Sequence, residues 1–243
     1  MKMINVLNNT TSSLFIAVLS ALILTGCAST KVSDREELIT GPIPRPGTIW
    51  VYAFAATAAD IPANSALAGA KNLDTTPQTP QQIAEGRKLG DQIASELVAQ
   101  INAMGMNAKM ASPATIPQLN DIVIRGYLLS VQQGNAVERV AIGFGEGASD
   151  LKTAVEGFEM TAKGLRKVGS GDVNANGGKS PGADLGVLGL IATDNPAGLI
   201  ISGGAHIYGE ESGSSTVEGR AKATAKEIAG VLKQRFTDQG WLN

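Results

Sequence analysis

Two amphipathic stretches, at 80–104 and 215–239, restrict the fold class more than anything else in this chain. In the first, Thr79 can cap a helix, Pro80 suits its first turn and Gln82 can reach back to the cap. Leu89, Ile93, Leu97 and Ile101 then recur at every fourth position. Val98 and Met104 widen the stripe, and Gly105 follows as a stop. In the second, Ser215-Thr216-Val217-Glu218 has the spacing of a capping box. Val217, Ala221, Ala225, Ile228, Leu232 and Phe236 form one face, with Lys222, Lys226, Lys233 and Arg235 largely off it. Gly240 ends the pattern and leaves Trp241 free to fold back. Two such helices need a common apolar surface to cover.

The runs between them supply it. Thr48–Ala55 is β-branched and aromatic and reads as the first strand. A polar loop from Thr57 to Gln78 follows, with alanines enough for a turn of helix. Ala108–Met110 reads as a short strand. Asp121–Gln132 is apolar on both faces, as a central strand with cover on each side would be. Val140, Ile142 and Phe144 alternate and predict a strand in a hairpin with the following run. In that run Leu151 and Val155 share one phase while Phe158 and Met160 take the other, which predicts a β-bulge near Glu156-Gly157. Leu165–Pro181, rich in Gly, Asn and Lys, reads as a loop, or as a weak edge strand and a loop. Asn195 before Pro196 can cap a further helix. The expected fold class is therefore α/β (α+β): one domain with a mixed, largely antiparallel sheet and packed helices.

The start of the chain predicts an address. Met1 and Lys2 precede an apolar run of about eleven residues, too short to span a bilayer as a helix and typical of a signal peptide. The run ends in Leu24-Thr25-Gly26-Cys27, which resembles the bacterial lipobox. That resemblance implies cleavage between Gly26 and Cys27, a diacylglycerol on the Cys27 thiol and an N-acyl (palmitate-type) chain on the new amine. Three acyl chains hold a protein to a membrane far more firmly than one. Ala28 in place of aspartate favours the outer membrane, with the domain in the periplasm. The predicted organisation is a leader at 1–26, a lipidated cysteine and flexible tether at 27–47, and a periplasmic domain at 48–243. Lys31, Asp34–Glu37 and Pro42, Pro44 and Pro46 mark the tether as solvated and partly extended.

Composition narrows the chemistry. Without Lys2 the mature chain has 19 basic against 22 acidic side chains, net about −3, which argues against a nucleic-acid surface. Cys27 is the single cysteine, so no disulfide and no thiol nucleophile are expected. His206 is the single histidine, which excludes a multi-histidine metal site. No serine sits in the G-x-S-x-G pattern. The chain has 29 glycines and few aromatics, so small residues and close backbone packing are expected to matter.

Three motifs come near to chemistry and fall short. Gly178-Lys179-Ser180 ends like a phosphate-binding loop, but Val173 stands where its first glycine belongs and Pro181 follows at once. Gly143-x-Gly145-x-Gly147 lacks dinucleotide spacing. Asp172, Asn174, Asn176 and Gly177 match the opening of a calcium loop, but Ala183 occupies the position of the bidentate acid. They read as turn residues, and no metal or diffusible cofactor is expected.

Arg125-Gly126-Tyr127 in the central strand, Val137–Leu151 (VERVAIGFGEGASDL) and Glu218–Ala229 (EGRAKATAKEIA) resemble the uncharacterised bacterial lipoproteins grouped as domain of unknown function 4410. The resemblance runs from about Pro46 to Leu242 and implies no catalytic residue. In element order the chain is also similar to the α/β modules of the Tol translocation protein's amino-terminal domain, the lipoprotein activator of peptidoglycan synthase and the curli secretion lipoprotein. The function expected is non-enzymatic: an outer-membrane-anchored binding or assembly factor for another envelope protein. Its partners would be membrane lipid, through Cys27, and an envelope protein or a further copy of itself, with no nucleic acid. The alternative is a subunit of an oligomeric secretion channel, with 185–207, two apolar segments around a turn, as its membrane or pore segment.

Overall fold

The computed structural model describes residues 29–39, 41–63, 65, 78–132, 150–176 and 217–242. They build a six-stranded mixed sheet with two helices on one face, the α/β arrangement expected. In chain order the elements are β1 (Ser29–Glu37), β2 (Ile49–Val51), a 3-10 turn (Ala58–Asp60), α1 (Pro80–Ala103), β3 (Ala108–Met110), β4 (Ile122–Gln132), β5 (Asp150–Thr161), β6 (Gly164–Asn176) and α2 (Val217–Asp238). The strand order is β1-β6-β5-β4-β2-β3. From β1 to β4 neighbours run antiparallel, whereas β2 is parallel to both β4 and β3. α1 packs over β2, β3 and β4, and α2 over β5, β6 and β1, with the two helices against each other.

The helices begin and end for the reasons their sequences state. The Thr79 hydroxyl accepts the Gln82 amide hydrogen at 3.2 Å, and the Gln82 side chain accepts that of Thr79 at 2.8 Å. The capping box predicted for α1 is thus complete, with proline in the first turn. Gly105 follows at φ +82° and Gly240 follows α2 at φ +69°, a left-handed conformation that glycine enters without steric cost. Trp241 folds back as expected: its amide donates to the Phe236 carbonyl, and the two rings lie 5.3 Å apart. Leu89, Ile93, Leu97 and Ile101 are buried, as are Ala221, Ala225, Ile228 and Phe236. The predicted capping residues Ser215 and Thr216 lie outside the described residues.

β4 is internal and buried on both faces, as its two-sided apolar pattern required. Ile122, Ile124 and Leu128 join the core under the helices, and Tyr127 and Leu129 join a smaller cluster on the other face with Ala55, Ala154 and Ile61. A bulge was expected in β5 near Glu156-Gly157; the β5–β6 register does shift there, but β5 advances one residue, from Gly157 to Phe158, while β6 advances two, from Gly169 to Lys167. The extra residue is Val168 of β6, and β5 itself runs on regularly against β4. A second shift falls between Leu128 and Ser130 of β4.

Three expectations are corrected. Ser29–Glu37, read as part of a solvated tether, is strand β1, antiparallel to β6. Its charges are compatible with that place because, among the described residues, β1 forms the sheet edge, where charged strands are common. Leu165–Asn176, read as a loop or weak edge, lies in β6, a thirteen-residue strand paired on both sides. Two ladders of backbone hydrogen bonds override the low strand propensity of its Gly, Ser and Asn residues. Both edges of β5 are taken, by β4 and β6, and the partner expected for it at 140–144 lies outside the described residues. Among the described residues, no helix is long and apolar enough to cross a membrane.

Candidate functional site

Gly26, Cys27, the segment 185–207, His206 and the glycine motifs at 143–147 and 178–180 all lie outside the described residues. Asp172, Asn174 and Asn176 do not lie in a loop. They occupy alternate positions of β6, opposite Ala154, Lys152 and Asp150. A calcium loop needs a chain that curls so that its ligands converge, whereas an extended strand spaces alternate residues roughly 6.6 Å apart. Among the described residues no three His, Cys, Asp or Glu side chains gather as a metal site.

The described surface is distinctive instead at the parallel edge of the sheet. From Met110 to Asn120, between Lys109 and Asp121, the chain carries no charge and includes Pro113 and Pro117. Of the four large apolar side chains that stand exposed among the described residues, three lie here: Met110, Ile116 (79% exposed) and Leu119 (61% exposed). Leu38 is the fourth. Single exposed apolar residues are ordinary, but several in one charge-free segment resemble the core of a protein interface.

This segment is held in place at both ends. The Ala111 amide donates to the Val51 carbonyl, and Ser112 and Thr115 close a turn through the Ser112 carbonyl and the Thr115 hydroxyl. At the far end Asp121 is buried, and its carboxylate accepts three N–H groups: Thr48 amide at 2.9 Å, Trp50 indole at 2.9 Å and Gln118 amide at 2.8 Å. Asn120 and Met160 complete the junction, the Asn120 amide donating to the Met160 carbonyl and the Met160 amide to that of Asp121. These donors take three of the carboxylate's roughly four lone-pair sites, and through them Asp121 organises the segment.

A second polar centre lies on the sheet face away from the helices. Glu156 is 1% exposed. One of its oxygens accepts the Tyr127 hydroxyl and the Ser65 hydroxyl, each at 2.8 Å, and the other pairs with the Lys167 ammonium at 3.1 Å. Arg125, opposite Glu156 in the β4–β5 register, lies between the rings of Tyr52 (5.5 Å) and Phe158 (5.4 Å). Burial pushes the Tyr127 phenol well above its ordinary value, and the Glu156 charge adds to this against the lowering effect of its bond with Ser65. Through Ser65 and Ile61 the cluster fastens the segment after β2 across the sheet. Glu156 was not foreseen from the sequence. The phase change beside it, where the bulge was predicted, is the signal that came nearest to marking it.

Residues 49–186, more than half of the chain, match the family described as Domain of unknown function (DUF4410). The chain belongs to this family. That membership covers β2 through β6, and so both polar centres and the uncharged segment of this DUF4410 protein. No curated protein matches it. Among solved structures it is similar to the PelC dodecamer of Paraburkholderia phytofirmans and to a leucine-to-methionine variant of that dodecamer. The variant is 12% identical with a TM-score of 0.39, over 80% of this chain and 95% of that one. The other is 11% identical with a TM-score of 0.38, over 84% of this chain and 96% of that one.

Proposed function

We propose that this DUF4410 protein is a non-enzymatic binding and assembly factor of the cell envelope. Cys27 carries the lipid that anchors it to the outer membrane, and 110–120 is the surface that receives another envelope protein. The observation that carries the reading is the uncharged segment with Ile116 and Leu119 exposed, held at both ends by backbone bonds and by the buried Asp121 carboxylate. A surface fixed in advance loses little conformational entropy when it binds. Glu156 and Asp121, buried and already occupied by donors, fit a structural role better than a catalytic one. The channel alternative rests on 185–207, which lies outside the described residues.

The test is a photo-crosslinking residue at position 119 of the full chain in its native envelope. The expected result is one discrete adduct with a second protein. It should fall at least fivefold when Ile116→Asp is added and stay unchanged with Lys222→Ala on the exposed side of α2. An adduct of two copies of this chain would overturn the hetero-partner and favour self-association. No adduct, or one indifferent to Ile116→Asp, would overturn the docking surface itself.

A further inference from the structure

The two ends of the sheet differ in what the chain attaches to them. Ser29, the first residue of β1, lies opposite Asn176, the last of β6. Asn176 lies opposite Asp150, the first of β5, and Asp150 opposite Gln132, the last of β4. The four form one row across four neighbouring strands. α2 begins at this end too, since its last turn lies past the other end of β1, where Arg235 donates to the Ile39 carbonyl. The stretches 133–149 and 177–216, outside the described residues, both leave from this end and return to it. They carry the alternating Val140, Ile142 and Phe144 and the apolar run 185–207. The opposite end holds the β5–β6 turn at Thr161–Gly164, the buried Asp121 and, bonded to Met160, the Asn120 amide.

We propose that the end of the sheet marked by Ser29, Asn176, Asp150 and Gln132 sits on the surface of the lipid bilayer, an orientation that rests on the lipid assigned to Cys27. Only Ala28 separates Cys27 from the row, and two residue steps span at most about 7 Å. The slack expected of a tether at 27–47 is taken up by the fold. β1 draws Ser29–Glu37 into the sheet. Gly41–Ile43 is fastened just past α2, where the Gln239 side chain accepts the Ile43 amide hydrogen and donates to the Gly41 carbonyl, and the Trp241 indole donates to the Ile43 carbonyl. An acylated Cys27 lies at the head groups, so the row beside it has little room to stand off. The attachment of both apolar stretches at the same end favours that end, and not a flat face of the sheet, as the contacting surface. Strands rise about 3.3 Å per residue, and Gln132 lies ten residues on from Ile122, so the two ends of β4 are about 33 Å apart. Asp121 and the exposed Leu119 stand at the far level, which carries the surface assigned to a protein partner about 30 Å away from the lipid.

The test uses the full, lipidated chain in phosphatidylcholine nanodiscs that include nickel-chelating lipid head groups. One nitroxide is attached through Lys152→Cys, two residues from the row, or through Lys163→Cys, in the far turn; both side chains are exposed, so neither change disturbs the core. Head-group nickel should speed the relaxation of the nitroxide at 152 at least threefold more than that at 163. Twelve Gly/Ser residues inserted between Ala28 and Ser29, about 20 Å of added coil, should lower this ratio at least twofold. Equal relaxation at the two positions, or faster relaxation at 163, in protein that stays on the discs would overturn the orientation alone. A ratio unmoved by the insertion would overturn the short span as its cause. Failure to bind the discs, or binding unchanged by Cys27→Ala, would overturn the lipid on Cys27 and the orientation with it.

Discussion

The two halves of the sheet use glycine in opposite ways. Under α1, Phe54 is wedged between helix and strand. A Cβ on Gly90 would stand 2.1 Å from the Phe54 carbonyl oxygen, and one on Gly126 would stand 2.2 Å from its ring. The Phe54 amide donates to the Gly90 carbonyl at 3.2 Å, so backbone meets backbone there. Under α2, a Cβ on Gly157 would make only ordinary contact, 3.5 Å from Val168, and the neighbouring glycines open a cavity. In the first half glycine permits contact; in the second it withholds it. Among the described residues, the expectation that glycine-rich composition means close backbone packing therefore holds for one half of the sheet.

Breaking the tight half should have the largest effect. Gly90→Ala and Gly126→Ala should each lose about 3 kcal/mol, at or above the upper end of overpacking costs because Phe54 is sealed in. Urea denaturation measures this, and losses under about 1 kcal/mol would mean that Phe54 can move aside. Alanine's higher helix propensity, worth about 1 kcal/mol, works against the effect at Gly90 and makes Gly126 the cleaner site.

The face of β4 away from the helices provides a control in which packing scarcely changes. Tyr127→Phe keeps the ring and removes the bond to Glu156, at a cost of about 1.5 kcal/mol for a buried bond to a charged group. It should also change the alkaline behaviour. The folded phenol ionises above its ordinary value, so its contribution is complete below about pH 10, where the unfolded phenol titrates, and declines as pH rises from there. The wild type should therefore lose stability above pH 10 more steeply than Tyr127→Phe. Identical alkaline limbs would remove Tyr127 from the cause.

The loose half should show the smallest effect and the opposite sign. Gly157→Ala meets no close atom and should gain about 0.5 kcal/mol, by restricting the unfolded chain and adding a methyl group beside the cavity. A loss of more than about 1 kcal/mol would mean that the register shift opposite Val168 requires glycine at 157.

Both helices were legible because a four-residue apolar period, a capping box and a glycine stop all point to the same structure. The central position of β4 was legible because its residues are apolar on both faces; the change of phase in β5 marked the place of a register shift but not its strand, since the extra residue is Val168 of β6. β1 and β6 were not. A charged edge strand reads as solvated chain, and a strand of Gly, Ser and Asn carries no periodic signal until partners on both sides supply one. At the candidate surface the charge-free interval between Lys109 and Asp121 was visible in the sequence. The exposure of Ile116 and Leu119 was not, since apolar residues in a proline-containing loop follow no period. The role of Asp121 depends on Thr48 and Trp50, more than seventy positions away, and no local pattern reports such a bond.

The antiparallel register of β1 with β6 also has a mechanical consequence. Its hydrogen bonds lie across the strand axis. Tension entering at Ser29 along that axis therefore loads the ladder in shear, so that many bonds must fail together, whereas a pull across the axis would open them one at a time. A domain tugged from its amino-terminal side in this direction resists as a clamp, and the strand sets which way the molecule can be pulled before its edge peels.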